Sequence, residues 1–279
     1  MATSLLWRAG SHLIECGERT LMMGILNVTP DSFSDGGQYL DSEAAVRRGI
    51  EMATEGADIV DVGGESTRPG SDPVSPDEER ERVLPVIKRL AAEVDVPISV
   101  DTRKAEVAEG AVSVGATIVN DVTAGRDPAM FGVLRDSAAG MILMHMQGDP
   151  KTMQADPRYD DVIAEVRGFL SDRLAAAESA GIDRERLCVD PGIGFGKTLH
   201  HNLTLLRNIS ALVELGRPIL VGPSRKSFIA QLLGEDADRV AGTAGAVAWL
   251  ASSGAHIVRV HDVRTMVHVV RVIDAIKTA

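Results

Sequence analysis

Hydrophobic positions in this chain form short apolar runs that alternate with longer segments of helical spacing. Eight of these runs predict strands: Met22–Val28, Ile59–Gly63, Pro97–Asp101, Thr117–Val122, Met141–Met146, Leu187–Asp190, Pro218–Gly222 and Ala255–Val260. Helices are predicted to begin near Ser42, Pro76, Lys104, Asp127, Tyr159, Thr198, Lys226 and Asp262, with a further helical run through 242–253. Because the strands are apolar throughout, both of their faces are expected to be buried, as in a parallel sheet.

Eight strand–helix units in 279 residues predict an α/β fold of the (β/α)8 TIM-barrel type. An open doubly wound sheet would have a dinucleotide fingerprint after its first strand, and none follows Val28. Residues 7–21 alternate loosely around Cys16-Gly17-Glu18, which predicts an N-terminal β-hairpin that plugs one end of the barrel. We therefore expect a single domain, with a hairpin segment at 1–21 and the barrel at 22–279.

Composition narrows the possible partners. The formal net charge is -11, which argues against binding to nucleic acid or to an anionic membrane surface. No apolar run approaches the roughly 20 residues that cross a bilayer, and residues 1–10 lack a secretory signal. Cys16 and Cys188 lie far apart beside apolar residues, which fits a reducing cytoplasm.

Polar side chains stand at nearly every predicted strand end, where barrel enzymes have their active sites. They are Asn27, Asp61, Asp101, Asn120, Asp121, His145, Asp190, Ser224, Arg225, Lys226, Arg259, His261 and Asp262. Each one alone would be read as a turn or helix cap, but together they indicate a ligand site. Carboxylates and amides suit a flat heterocycle bearing N–H donors, and an anion would bind near Arg259 and His261.

The most informative segment is Asp190-Pro191-Gly192-Ile193-Gly194-Phe195-Gly196-Lys197. Its end resembles a phosphate-binding P-loop, but Pro191 occupies the position of the leading glycine and has no N–H to donate. What remains is a carboxylate at a strand end and Phe195 held out on a glycine-rich loop, which would suit a flat ligand. Alternatively, Asp190 only caps a turn.

Two further loops follow the first and second strands. The long polar segment 29–37 has the composition of a mobile lid or of an ordinary solvated connection. Pro69 holds Arg68 out of the helical region, so Arg68 is either an exposed anion contact or a plain surface charge.

Seven motifs in this order resemble those of the dihydropteroate synthase family. They are Gly24 to Gly37, Gly63 to Gly70, Leu143 to Gly148, Pro150 to Gln154, Asp190 to Lys197, Gly222 to Ser227 and Arg259 to Asp262. The resemblance runs from about Met22 to Ile276, and its motifs are long enough to be highly specific.

The resemblance implies the condensation of 6-hydroxymethyl-7,8-dihydropterin diphosphate with 4-aminobenzoate to give 7,8-dihydropteroate and diphosphate. It implies diphosphate loss before amine attack, Mg²⁺ as cofactor, and Asn27 as the metal residue. The catalytic residues would be Asn27, Asp101, Asp190, Lys226, Arg259 and His261. The pterin would contact Asp101, Asn120, Met144, Asp190, Gly222, Lys226 and Arg259. The 4-aminobenzoate would contact Phe33, Thr67, Arg68, Pro69, Phe195, Ser224 and Lys226.

Three questions stay open at this point. Sulfonamides, which mimic 4-aminobenzoate, would be competitive ligands, and the enzyme could be a sensitive or an insensitive variant. A methyltetrahydrofolate-binding barrel and a non-catalytic pterin-binding module are the rival functions, although the first has no use for the 27–37 loop or for Ser224-Arg225-Lys226. A homodimer is expected from the family, with Val267, Val270, Ile273 and Ile276 forming either its interface or a stripe packed on the barrel.

Overall fold

An antiparallel hairpin precedes the main sheet. The computed structural model describes residues 5–29, 37–66 and 72–279. In it, β1 (Leu5–Ala9) pairs with β2 (His12–Cys16). The hairpin was predicted, but its turn lies at Gly10 and Ser11 rather than around Cys16-Gly17-Glu18, because Gly10 adopts the left-handed conformation, with φ +61°.

Eight parallel strands follow and close into a barrel. They are β3 (Leu21–Asn27), β4 (Ile59–Gly63), β5 (Ile98–Asp101), β6 (Ile118–Asp121), β7 (Gly140–Met144), β8 (Leu187–Asp190), β9 (Leu220–Val221) and β10 (Ile257–Val260). Their order is β8-β7-β6-β5-β4-β3-β10-β9, and a parallel bridge between Val189 and Ile219 joins the two ends. The predicted TIM barrel is confirmed.

Helices cover the outside of the barrel. They are α1 (Gly37–Glu55), α2 (Pro76–Glu93), α3 (Ala105–Ser113), α4 (Met130–Arg135), α5 (Val162–Ser179), α6 (Leu199–Arg207), α7 (Ser227–Leu233), α8 (Arg239–Ser253) and α9 (Val263–Thr278). Side chains of Ser75, Asp161, Thr198 and Asp238 cap four of their N-termini. The helix predicted to begin near Thr198 ends at Arg207, because Asn208 leaves the helical conformation and 3-10 turns continue to Leu215.

Two apolar layers hold the barrel together. The larger one lies between the strands and the helices, and Val267 and Val270 of α9 belong to it, whereas Ile276 is 67% exposed. The smaller one fills the barrel at the N-terminal ends of the strands, where fully buried Trp7 of the hairpin packs with Met23 and Ile59. The hairpin therefore plugs one end of the barrel, as predicted. Among the described residues, no helix has the length and apolar character needed to cross a bilayer.

Candidate active site

The strand register brings several predicted polar residues together at the open end of the barrel. Asp101 lies opposite Asn120 on neighbouring strands β5 and β6, and Met144 lies opposite Asp190 on β7 and β8. Their proximity follows from the parallel pairing alone. The site is therefore assembled from residues far apart in the sequence, since Asp101 and Met144 are separated by 43 positions.

Arg259 of β10 forms the centre of this site. Its Nε donates a hydrogen bond to Asp61 Oδ2 at 2.6 Å, and its Nη2 donates to Asp101 Oδ2 at 2.5 Å. Asn120 Nδ2 also donates to Asp61 Oδ2, at 3.1 Å. One guanidinium thus joins two carboxylates from two strands, in a pocket where the Asp61 side chain is fully buried.

Asp61 is a central residue of the site that the sequence analysis did not assign to any ligand. It was recognised as a polar residue of the second strand but received no role. The available signal was a carboxylate in the middle of the apolar run Ile59 to Gly63, because a buried charge requires a partner. The structure identifies that partner as Arg259, so Asp61 fixes the direction of the guanidinium.

Burial shifts the pKa values of the site in opposite directions for acids and bases. It raises the pKa of Asp101 to about 7, opposed by Arg259, and that of Asp190 to about 6, opposed by the Gly192 N–H. Burial together with Arg259 lowers the pKa of Lys226 to about 8. Burial also disfavours the charge of Arg259, but the carboxylates of Asp61 and Asp101 outweigh it and raise the Arg259 pKa.

The loop after β8 holds Asp190 by an internal hydrogen bond. Asp190 Oδ1 accepts from the N–H of Gly192 at 2.7 Å. Gly192 has a φ of +66°, and a Cβ there would lie 1.9 Å from the carbonyl oxygen of His145, so only glycine fits. Asp190 therefore does cap a turn, and it also faces the positive charges of Lys226 and Arg259.

Phe195 corrects one expectation. It is not held out into solvent but is 7% exposed, packed in a cluster with Val122, Met144, Met146 and Met153. The Nζ of Lys226 lies 4.0 Å from the centre of its ring, which is a cation–π contact. Burial has a simple cause, since a phenylalanine among small residues gains more from contact with the methionines than from exposure to water.

His145 is likewise buried rather than exposed on the rim. Its ring packs edge-on against Phe169 at 4.9 Å, and its Nδ1 lies 2.9 Å from Nζ of Lys197. Burial and the Lys197 charge lower its pKa to about 3, so the imidazole is neutral at physiological pH. His145 belongs to the support of the loops and not to the rim itself.

Ser224 and His261 lie side by side at the ends of β9 and β10. Ser224 Oγ is 2.9 Å from His261 Nδ1 and accepts from the His261 N–H at 3.2 Å. Next to them, Arg225 and Asp262 form a bidentate ion pair at 2.8 to 3.2 Å. Ser224, predicted for 4-aminobenzoate, and His261, predicted for the anion, are thus in direct contact.

Asn27 ends β3 close to the carboxylate group. A Cβ at Gly63 would lie 3.8 Å from both Asn27 Oδ1 and Asp101 Oδ2, so glycine keeps the space between these side chains open. Gly222 similarly leaves room beside Arg259, because a Cβ at position 222 would lie 3.8 Å from the Cβ of Arg259. Within the described ranges, no group of three or more His, Cys, Asp or Glu side chains could hold a metal ion.

The second loop is anchored on its N-terminal side. Glu65 accepts hydrogen bonds from Arg103 Nε at 3.1 Å, from Lys104 Nζ at 2.6 Å and from the Val74 N–H at 3.1 Å. Lys104 also bonds buried Glu79, a pair that sequence reasoning missed. Phe33, Thr67, Arg68 and Pro69, which were predicted to contact 4-aminobenzoate, lie outside the described residues.

Fold and site together define a barrel enzyme with carboxylates for the N–H edge of a flat heterocycle and cations for an anion. The model for the family described as "pterin binding enzyme" matches residues 23–261. The chain is 48% identical over 259 residues to Escherichia coli dihydropteroate synthase, covering 92% of each protein. Two solved structures are also similar. Dihydropteroate synthase of Xanthomonas albilineans with 4-aminobenzoic acid has a TM-score of 0.93 and 46% identity, covering 99% of this chain and 100% of that one.

The second solved structure is that of Yersinia pestis dihydropteroate synthase in a sulfonamide drug complex. It has a TM-score of 0.92 and 40% identity, covering 99% of this chain and 100% of that one. The chain therefore belongs to the pterin binding enzyme family, and within it to the dihydropteroate synthases, which are transferases. The resemblance drawn from the seven motifs is confirmed. Neither rival function retains support.

Proposed function

We propose a division of roles for this dihydropteroate synthase, which condenses 6-hydroxymethyl-7,8-dihydropterin diphosphate with 4-aminobenzoate. The observation that carries it is the group of Asp61, Asp101, Asn120 and Arg259, beside Asp190 at the open end of the barrel. Carboxylates and an amide oxygen accept hydrogen bonds, and the N–H groups of a pterin ring require such acceptors.

The pterin would lie across this group, with Asp101, Asn120 and Asp190 along its edge. Met144 is buried directly opposite Asp190 and suits contact with a ring face, and the Arg259 guanidinium suits the other face. Lys226 would donate to the ring, because its ammonium is held near both Asp101 and Asp190. Gly222 leaves the space that the ring needs.

The diphosphate would be bound by Asn27, Arg259 and His261. A Mg²⁺ ion fits this site, because the Asn27 amide oxygen is a hard ligand and phosphate oxygens and waters would supply the others. When bound, the ion would neutralise the charge of the departing diphosphate. Asn27→Ala should therefore raise the Mg²⁺ concentration needed for half-maximal turnover by at least tenfold, and an unchanged requirement would exclude Asn27 as a ligand.

Bond breaking would come first and amine attack second. An aryl amine is unprotonated at neutral pH, so it requires positioning rather than a general base. Ser224 is suited to the carboxylate of 4-aminobenzoate, and Phe195 and Lys226 to its ring. Phe33, Thr67, Arg68 and Pro69 are proposed to complete this pocket, on the strength of the family resemblance.

The test is formation of 7,8-dihydropteroate and diphosphate by the purified chain with Mg²⁺, with and without 4-aminobenzoate. Asp190→Asn should lower kcat/KM for the pterin diphosphate by about a hundredfold, since an amide offers an N–H where the ring also offers one. Asp172→Asn, on the exposed side of α5, is the matched control and should leave it unchanged. No product from the wild type, despite pterin binding, would overturn the function.

Sulfonamides are proposed as competitive ligands of the 4-aminobenzoate site. The Yersinia pestis structure in a sulfonamide complex supports this, given its 40% identity to the chain. An inhibition constant for a sulfonamide, compared with KM for 4-aminobenzoate, would separate a sensitive from an insensitive enzyme. Competitive inhibition is the expected result in both cases.

We also propose that the chain forms a homodimer and acts in the cytoplasm. An apolar groove of about 340 Å³ lies between α6, α7 and α8, where Leu232, Leu233 and Trp249 are 52%, 56% and 51% exposed. This groove suits a second copy better than α9 does, because Val267 and Val270 already pack on the barrel. Trp249→Glu should convert a dimer to a monomer in sedimentation, and a wild-type monomer would refute the dimer proposal.

The proposed cytoplasmic location is supported by the two free buried cysteines, which suit a reducing compartment.

A further inference from the structure

Lys197 is a buried cation to which none of the roles above gives a task. Its side chain ends the loop after β8 and is only 3% exposed. Burying an ammonium is costly unless its donors are satisfied, so its surroundings require an explanation. In the part of the chain that the structure describes, it forms no ion pair with a carboxylate.

The Lys197 ammonium has three acceptors at one short distance and a fourth, the carbonyl oxygen of His145, at 3.4 Å. Nζ lies 2.9 Å from the carbonyl oxygen of Gly192, 2.9 Å from that of Phe195 and 2.9 Å from Nδ1 of His145. Two of these acceptors belong to the loop that carries Phe195, and the other two belong to His145 in the loop after β7. Lys197 therefore ties two loops together from beneath the site.

The protonation states agree with this geometry. The low pKa of His145 keeps its imidazole neutral, and in the tautomer that carries the proton on Nε2 its Nδ1 accepts from Lys197. Burial lowers the pKa of Lys197 to about 7, while the carboxylate of Asp190 opposes that change. The ammonium supplies an N–H group to each of the three acceptors at 2.9 Å, whereas a neutral amine would supply only two.

Phe195 is the side chain whose position depends on this arrangement. Its carbonyl is held by Lys197, and its ring packs in the methionine cluster beneath Lys226. Its neighbours Gly194 and Gly196 have positive φ angles of 84° and 60°, so the backbone on both sides of Phe195 follows a path that few other residues adopt. The loop requires a fixed support if Phe195 is to present its ring in one place.

We propose that Lys197 is a positioning residue for 4-aminobenzoate, which it affects through Phe195 without contacting either substrate. The inference rests on the proposed contact between Phe195 and the aminobenzoate ring. Replacing Lys197 should therefore alter KM for 4-aminobenzoate more than binding of the pterin diphosphate. The effect should depend on the phenyl ring being present.

The experiment is a double-mutant cycle with Lys197→Met and Phe195→Ala. Lys197→Met keeps the length of the side chain and should raise KM for 4-aminobenzoate at least tenfold, with pterin diphosphate binding changed less than twofold. In the Phe195→Ala background, Lys197→Met should change the KM for 4-aminobenzoate less than twofold, because the phenyl ring through which Lys197 acts is absent. Lys197→Gln retains two N–H donors, so its KM for 4-aminobenzoate should rise less than that of Lys197→Met. The glutamine variant is used in the cycle if the methionine variant does not fold.

Each outcome has one meaning. Additive effects in the cycle, or equal losses for the two substrates, would overturn the positioning role, and so would an unaltered KM in Lys197→Met. Wild-type pteroate formation in the same assay separates that result from failure of the proposed function. Absence of pteroate from the wild type would overturn both.

Discussion

Arg259 should be the main electrostatic support of the active site, and replacing it by methionine tests this. In Arg259→Met, Asp61 and Asp101, whose side chains are 0% and 12% exposed, lose the guanidinium that joins them. Removing one partner of a buried ion pair costs about 3–5 kcal/mol, because the remaining charges are left in a poorly solvated place. We expect a lower free energy of unfolding by that amount, and a Tm lower by roughly 6–20 °C.

A matched control separates burial from loss of a charge. Arg225 also forms a bidentate pair, with Asp262, but its side chain is 47% exposed. Solvent screens such a pair, so Arg225→Met should cost less than about 1 kcal/mol. Both variants would be compared by urea unfolding followed by circular dichroism. Equal losses in the two variants would refute the argument that burial makes Arg259 important.

The sign of the pH dependence gives a second check on the same variant. A carboxyl whose pKa is raised in the folded state takes up a proton on folding, so its contribution to stability falls as the pH rises through that pKa. The pKa of Asp101 is about 7 with Arg259 present, and removal of the guanidinium would raise it further. The deficit of Arg259→Met should thus be larger at about pH 8 than at about pH 5.5. A deficit independent of pH would show that lost packing, not charge, is its cause.

Two further predictions concern the reaction and the loop after β8. The value of kcat/KM for the pterin diphosphate should fall as the pH drops from about 7 to about 6, because Asp101 and Asp190 become protonated. It should also fall as the pH rises past about 8, because Lys226 loses its proton. A flat pH profile would contradict these assignments. Gly192→Ala should abolish turnover, because its Cβ would lie 1.9 Å from a backbone oxygen, whereas Gly168→Ala in α5 meets nothing within 4 Å and should leave turnover intact. An active Gly192→Ala enzyme would show that the loop can shift.

Much of the barrel could be predicted because its signal is local. Ile59–Gly63 and Leu187–Asp190 were predicted with the bounds they have, since each is a short apolar run ended by polar or small residues. Pro218–Gly222 was predicted too long, as only Leu220 and Val221 pair regularly while Ile219 makes an isolated bridge. Pairing depends on neighbouring strands, which a single run does not encode.

The site could be predicted only as far as strand ends reveal it. Asp101, Asn120, Asp190 and Arg259 were found because parallel strands align their carboxyl ends. The hydrogen bonds of Arg259 could not be predicted. Its partner Asp61 is 198 positions away, and their contact depends on closure of the barrel. The burial of Phe195 and the arrangement of acceptors around Lys197 depend on packing between loops, for which the sequence has no periodic signal.

The hairpin that carries Trp7 has a consequence for the order of events in catalysis. Because it fills one end of the barrel, substrates and products share the opposite end. With the pterin on the carboxylates of the site and 4-aminobenzoate nearer the open end, as proposed, the pterin diphosphate would enter first and leave only as part of the joined product. Steady-state kinetics should accordingly show compulsory-order binding, with the pterin diphosphate first. Excess 4-aminobenzoate should inhibit the reaction, because it occupies the open end of the barrel before the next pterin diphosphate binds.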